Sequence, residues 1–410
     1  MRIGKVQKWI TRLFLMATLQ TIALGADWPR FLGPTCDRKA PDKGINKDWK
    51  SRPPKQLWKV DMADGGYSGP CIVGERLYIT DHEWSGGNPP TPDVVRAIDL
   101  KTPKDVWRYK WPGSNYSSSG HSNCTPTFDN NRLYVFSRHE GELHCIDAQK
   151  GTKVWMHSMK KEFAGKPVWG YDMSPVIDGD HVIVCPCGPE ACVAAFNKVT
   201  GALVWKGGGP DVCDSSTPII ATLKGTRRLL VYADKALMSL DPASGKLQWK
   251  VEPSKVTTHI PSPVIAGEDI FATAGYGTLC MMVSAEGKKL WENDGMMAHM
   301  NTPVYADGHL YGTTGQGTTE GALVCLDAKT GKVAWKQPGF EAGGVVAVDE
   351  VLIAVAGKTG DVAMVRLTPK AYEELGRIRP LGGRSWTPPV VADGKLYVRN
   401  EKALVCLDLK

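Results

Sequence analysis

The hydrophobic pattern of this chain is a repeat. Short apolar strands bounded by turn residues follow one another in a fixed order from about residue 57 to the C-terminus. A Pro opens the first strand of each set, at Gly69-Pro70, Thr125-Pro126, Ser174-Pro175, Thr217-Pro218, Ser262-Pro263, Thr302-Pro303 and Thr387-Pro388. Pro at a strand's first position removes no ladder hydrogen bond. A tight turn and a second strand come next, as in Val304-Tyr305-Ala306-Asp307-Gly308-His309-Leu310-Tyr311, where Asp-Gly between β-formers predicts a hairpin. A fixed spacing marks the remaining two strands. Asp99 and Trp107, Asp147 and Trp155, Asn197 and Trp205, Asp241 and Trp249, and Asp327 and Trp335 each stand eight residues apart. Between them lie Gly151, Gly201, Gly245 and Gly331. The Asp or Asn can cap the turn's N–H groups, while Gly accepts the positive φ of a bulged loop. Ser284 to Trp291 is the same unit shortened by one residue.

The prolines follow one another at 56, 49, 43, 45 and 40 residues, and the last gap of 85 holds two units. The hidden unit runs from Gly343 to Leu367 and lacks the opening Pro. Eight units of four antiparallel strands predict an all-β fold, an eight-bladed β-propeller, because one unit cannot bury both its faces and a closed ring can. The last unit ends at Lys410 before its fourth strand, and Gln56-Leu57-Trp58-Lys59-Val60 has the look of an unattached one. The N-terminal strand is therefore expected to close the ring, leaving no open sheet edge.

Composition then loses its puzzle. A 410-residue chain suggests two or three domains, and 44 Gly, 28 Pro and 14 Trp are unusual. The repeat reduces the count to one propeller over 55–410, preceded by a Pro-rich lead at 27–54. Residues 1–26 read as a signal peptide: Arg2, Lys5, Lys8 and Arg12 precede an apolar run and the small residues Ala23, Gly25 and Ala26. Four of the seven net positive charges lie there, so the remainder carries about +3 and nucleic-acid binding is not indicated. The apolar run is too short for a membrane span, and no transmembrane segment follows. The first cysteine, Cys36, stands too far along to accept a lipid. A periplasmic or secreted monomer is expected.

Asp327-Ala328-Lys329-Thr330-Gly331-Lys332-Val333-Ala334-Trp335 resembles the repeat of quinoprotein-type propellers, the PQQ-like repeat. The resemblance implies that Trp58, Trp107, Trp155, Trp205, Trp249, Trp291 and Trp335 dock adjacent blades, the seventh blade lacking its copy. In size and blade count the chain looks like the propeller subunit of the outer-membrane β-barrel assembly machinery (BamB-like). Its lead, Trp28-Pro29-Arg30-Phe31-Leu32-Gly33-Pro34, looks like that of secreted bacterial PQQ-like repeat proteins. Enzymes of the superfamily carry adjacent cysteines over the cofactor, acidic calcium ligands and a catalytic Asp. This chain has no Cys-Cys pair, and no carboxylate aligns with the catalytic one. The expectation is a scaffold that binds an envelope protein, peptide or carbohydrate without a cofactor, and no catalytic or metal-binding residue is assigned. The alternative is a PQQ-dependent alcohol or sugar dehydrogenase using PQQ with calcium.

Strand order places the irregular connections, 81–94, 109–124, 160–173 and 206–215, on one face, where binding is expected. Counting back four from each opening Pro gives Gly66, Ser122, Tyr171, Asp214, His259, His299 and Arg384. With His121 and Trp386 nearby, these residues are expected to ring the channel mouth as a ligand site. His82-Glu83-Trp84 and Arg138-His139-Glu140 read as solvated tips. Cys145, Cys325 and Cys406 read as core residues, and a disulfide is expected among Cys185, Cys187, Cys192 and Cys213.

Overall fold

The computed structural model describes residues 27–63, 65–83, 92–112, 123–317 and 319–410. The expected signal segment, His121, Ser122 and Trp84 lie outside them. Eight four-stranded antiparallel sheets span 71–111, 127–158, 176–208, 219–251, 264–293, 304–338, 345–378, and 390–408 with 56–61. They are numbered here as blades 1 to 8. The eighth takes its outer strand from the N-terminal side, Gln56–Asp61 pairing with Ala403–Asp408 so that Trp58 lies opposite Cys406. The ring is closed as the sequence predicts. One helix, Met159–Phe163, occurs among the described residues.

Turn chemistry produces the blades. Asp307-Gly308 and Asp393-Gly394 have positive φ at both positions, the mirror-image turn that matches strand twist. In the outer hairpins of blades 2 to 4, Asp147 Oδ1 accepts from Gln149 N and Lys150 N at 3.0 and 2.9 Å, and Asn197 and Asp241 repeat the pattern. A register shift beside each turn then sets Trp107, Trp155, Trp205, Trp249, Trp291 and Trp335 opposite Ala97, Cys145, Ala195, Ser239, Met282 and Cys325. The side chain reaches the next blade. Trp107, Trp205, Trp249, Trp291 and Trp335 donate Nε1–H to the carbonyls of Ala148, Pro242, Ala285, Ala328 and Thr368 at 2.8–3.2 Å. The neighbouring turn comes close enough that a Cβ on Gly245 would stand 2.4 Å from the Trp205 ring. Gly is required there for space as well as for its φ of +70°.

Blade 7 has neither the opening Pro nor the Trp, and the lead supplies what it lacks. Gly376 occupies the Trp register opposite Met364. A Cβ there would lie 2.5 Å from that of Trp49, whose buried side chain joins the core of blades 7 and 8. The blade's first turn, Asp349-Glu350, has positive φ without glycine. Lys47 reaches both carboxylates at 3.4 Å, and Gly44 N donates to Asp349.

Ahead of this the lead crosses the central channel. Trp28 exchanges two backbone hydrogen bonds with Ile72 of blade 1, Phe128 N of blade 2 donates to Pro29 O, and Lys39–Ala40 adds a parallel strand to the inner edge of blade 7. Arg38 is fully buried there. It donates to Val345 O, Pro389 O and Phe31 O at 2.9–3.1 Å, and burial pushes its pKa down to about 9.

Candidate functional site

The connections into the inner strands surround the other end of the channel and enclose a cavity of about 160 Å³. Tyr67, Asn123, Asp172, Ser215, Ile260 and Met300, each three residues before an opening proline, line it. Asn301 and Trp386, two before theirs, join them. Phe31 of the lead is also part of the wall, so the channel is a funnel closed from the lead's side. Arg138, Trp169 and Tyr276 complete the mouth from neighbouring loops.

The residues four before the prolines stand one step behind this lining, because side chains on extended backbone alternate in direction. Tyr171 is buried, stacks on Phe136 at 5.4 Å and donates to Pro186 O. Asp214 accepts from Val168 N, Trp169 N and Ser215 Oγ at 2.7, 2.9 and 2.9 Å. Its carboxylate therefore positions the loop that carries Trp169. His259 lies flat on Tyr232 with centroids 3.9 Å apart, and its Nδ1 meets Ala233 O at 2.8 Å, so the proton sits on Nδ1. His299 holds the other tautomer, since its Nδ1 accepts from Gly317 N at 3.0 Å. Burial pushes both histidines down to about 4, which keeps them neutral. They share no ligand, and no group of three metal-binding side chains occurs among the described residues.

Arg384 sits nearer the cavity. Its guanidinium stacks on Trp386 and Tyr67, 4.9 and 5.8 Å from the ring centroids, while its Nε donates to Glu401 at 2.8 Å. Gly66 contributes no side chain.

Two other expectations need correction. Arg138 and His82 are buried, not solvated tips. Arg138 Nε bonds Asp172 at 2.7 Å, which opposes the rise that burial imposes on that carboxyl. The expected disulfide is absent: Cys185, Cys187, Cys192 and Cys213 come together as buried free thiols. Cys187 Sγ donates to Cys185 O, and Cys213 Sγ to Ser216 O. Burial raises the pKa values of Cys185, Cys187 and Cys192, and the hydrogen bond with Cys185 followed by burial raises that of Cys213, so thiolate is disfavoured.

Two polar atoms of the lining have no partner among the described residues, Trp386 Nε1 and Asn301 Oδ1. The amide nitrogen of Asn301 is engaged, donating to Ala342 O and Trp386 O at 3.1 and 3.0 Å. Both residues line the cavity, where an ordered water or a bound group would complete these atoms.

A calcium-bound quinone fits this donor set poorly. Calcium takes six to eight oxygens, several of them carboxylate. Asp172 is the one carboxylate among the described lining residues, and Arg138 holds it.

Sequence reasoning missed Phe31, Tyr67, Asn123, Trp169 and Asn301. Trp169 carried a signal, being a tryptophan outside the eight-residue rule on an irregular connection.

Residues 91–337 match the family described as outer membrane protein assembly factor BamB. A BamB from Moranella endobia is 23% identical over 60% of this chain and 74% of its own length. The dehydrogenase subunit of a quinone alcohol dehydrogenase from Gluconobacter oxydans is 29% identical, over 37% of this chain and a fifth of its own length. Among solved structures, quinohemoprotein alcohol dehydrogenase from Comamonas testosteroni superposes with a TM-score of 0.71 at 13% identity, covering 93% of this chain and 80% of that one. That likeness is one of fold.

Proposed function

This chain belongs to the family described as outer membrane protein assembly factor BamB, and from that premise we propose that it is a non-catalytic binding propeller whose loop-face funnel receives the partner. One observation supports the reading above the rest. The funnel gathers aromatic faces and unmatched polar atoms around a closed floor, and its described residues lack the carboxylates that a calcium-quinone centre needs. The inter-blade tryptophans are read as docking groups that hold the scaffold rigid. The basic, apolar leader at 1–26 supports export to the periplasm or the exterior, with an envelope component as partner. No helix among the described residues is long and apolar enough to cross a membrane.

The test pairs two measurements on the exported chain. Glycan and peptide fractions of envelope extract are passed over the wild type and Trp386→Ala, and retention that needs Trp386 is expected. In parallel the chain is supplied with PQQ and calcium, and dye-linked oxidation is followed across alcohols and sugars. Stoichiometric cofactor with turnover would replace the scaffold reading with the dehydrogenase one.

A further inference from the structure

We infer that the funnel recognises a neutral carbohydrate, with one ring seated against Tyr67 and Trp386 and the next unit lying over Trp169 at the rim. The inference rests on the binding role proposed above and names the class of ligand.

Hydrogen-bond accounting comes first. Trp386 Nε1 can only donate, and Asn301 Oδ1, whose amide nitrogen is already engaged, can only accept. A neutral ligand that answers both must offer an acceptor and a donor, and a polyol carries both in its hydroxyls. A carboxylate or phosphate would satisfy the indole and leave Asn301 unmatched. An ammonium would do the reverse.

Charge points the same way. Two cations at the mouth are balanced, Arg138 by Asp172 at 2.7 Å and Arg384 by Glu401 at 2.8 Å, while Lys255 at the rim donates to Tyr276 O at 2.6 Å. A charged ligand seated against these arginines would compete with their pairs, whereas a neutral one leaves both intact.

Shape supplies the third element. Tyr67 and Trp386 lie 5.1 Å apart with planes tilted by 46°; Arg384 covers one face of each, and the remaining ring surface is of the kind on which the C–H faces of a sugar ring pack. The apolar surface continues outward. Trp169 both lines the cavity and is 44% exposed, and Val168 and Val256 are more exposed still. The Trp169 indole N–H is taken by Thr258 Oγ1 at 3.0 Å, so this residue offers a face and no hydrogen bond. The inner position is therefore selective for hydroxyl placement, and the rim position tolerant of the unit beyond it.

The experiment titrates the full exported chain by calorimetry with neutral mono- to tetrasaccharides, a uronate oligosaccharide and short neutral peptides. Trp386→Phe keeps the flat ring and removes the donor, so binding of every neutral sugar should weaken about tenfold. Trp169→Ala should weaken only the longer sugars and leave the monosaccharide unchanged. Thermal melts of both variants report whether the fold is kept, and Tyr67→Ala provides an independent loss of stacking should one of them fail to fold. Sugar affinity that is indifferent to Trp386→Phe overturns the inference, as does preference for the uronate. Peptide binding that needs Trp386, with no sugar bound, overturns it and leaves the binding role standing. If no probe responds to Trp386→Ala, both fall.

Discussion

Arg38 at the closed end of the channel and the indole Nε1 of Trp386 at its mouth are buried polar groups with opposite hydrogen-bonding states. At the closed end Arg38 is wholly buried, yet its hydrogen bonds run to three carbonyls, from the lead and from blades 7 and 8. At the mouth, Trp386 Nε1 and Asn301 Oδ1 are as deeply buried as atoms and bond nothing described in the chain. A buried group with every bond made joins parts of the fold. One left unmatched costs roughly 1–3 kcal/mol, a cost that a bound ligand can offset. Trp28 Nε1 and Trp49 Nε1 of the lead are unmatched as well, so what sets Trp386 and Asn301 apart is that their residues line a cavity, and variants at either end can test the difference.

The largest effect belongs to the closed end. Trp49, on the same lead, fills the place of the inter-blade tryptophan that blade 7 lacks, so Trp49→Ala opens a cavity between blades 7 and 8 and should cost about 3–5 kcal/mol in denaturant unfolding. A loss below about 1 kcal/mol would mean that the lead is an accessory to a ring stable without it. Arg38→Ala should cost somewhat less, about 3 kcal/mol, by leaving the carbonyls of Val345, Pro389 and Phe31 unmatched. Equilibrium unfolding reads both variants.

How much of this the sequence disclosed follows the same division. The blades were legible because turn chemistry is local: Asp-Gly, the capping Asp and the eight-residue step to Trp each act within a dozen residues. Ring closure was legible because a strand was missing at one end and spare at the other. The role of Trp49 was not, because it stands in for Gly376 more than three hundred residues away, and no local pattern ties them. At the mouth Trp386 lines the cavity as expected, while Asp214, His259 and His299 stand one residue away from the lining. On extended backbone that single step exchanges the lining residues Ser215, Ile260 and Met300 for Asp214, His259 and His299 behind them. The cysteines misled for another reason. Their spacing suggested pairing, but the thiols point to carbonyls of their own hairpin and the next loop.

The histidines behind the mouth give a third test, through pH. His259 has a folded pKa of about 4 against roughly 6.5 in the unfolded chain, lowered by burial. The unfolded state takes up the proton first as pH falls, so this contribution is complete above pH 6.5, declines toward pH 4 and is lost below it. His259→Gln should flatten that decline by about 2–3 kcal/mol across the window. Asp234 runs the other way. Burial and the nearby Asp214 and Asp211 raise it to about 7, so its contribution is present below the unfolded value near 4 and is lost as pH rises through 7. Asp234→Asn should therefore stabilise the protein at pH 8 relative to the wild type. Histidines that helped bind a ligand directly would change affinity in the same pH window. Histidines that only support the wall would change the unfolding midpoint and leave affinity at neutral pH untouched.

The smallest effect on stability is the most telling about function. Trp386→Phe removes a donor that bonds nothing described in the chain, so its unfolding free energy should stay within about 1 kcal/mol of the wild type and could rise, because an unsatisfied buried N–H disappears. The same N–H change at a blade tryptophan has the opposite sign. Trp249 Nε1 donates to Ala285 O at 3.0 Å across a blade junction, and Trp249→Phe leaves that carbonyl short of a partner. It should cost about 1 kcal/mol. Measured side by side, the two substitutions remove the same chemical group from similar aromatic surroundings. If Trp249→Phe destabilises while Trp386→Phe does not, one N–H is kept for the fold and the other for something outside it. Equal losses would show that Trp386 has a structural partner after all, and the mouth would then differ from the floor only in shape.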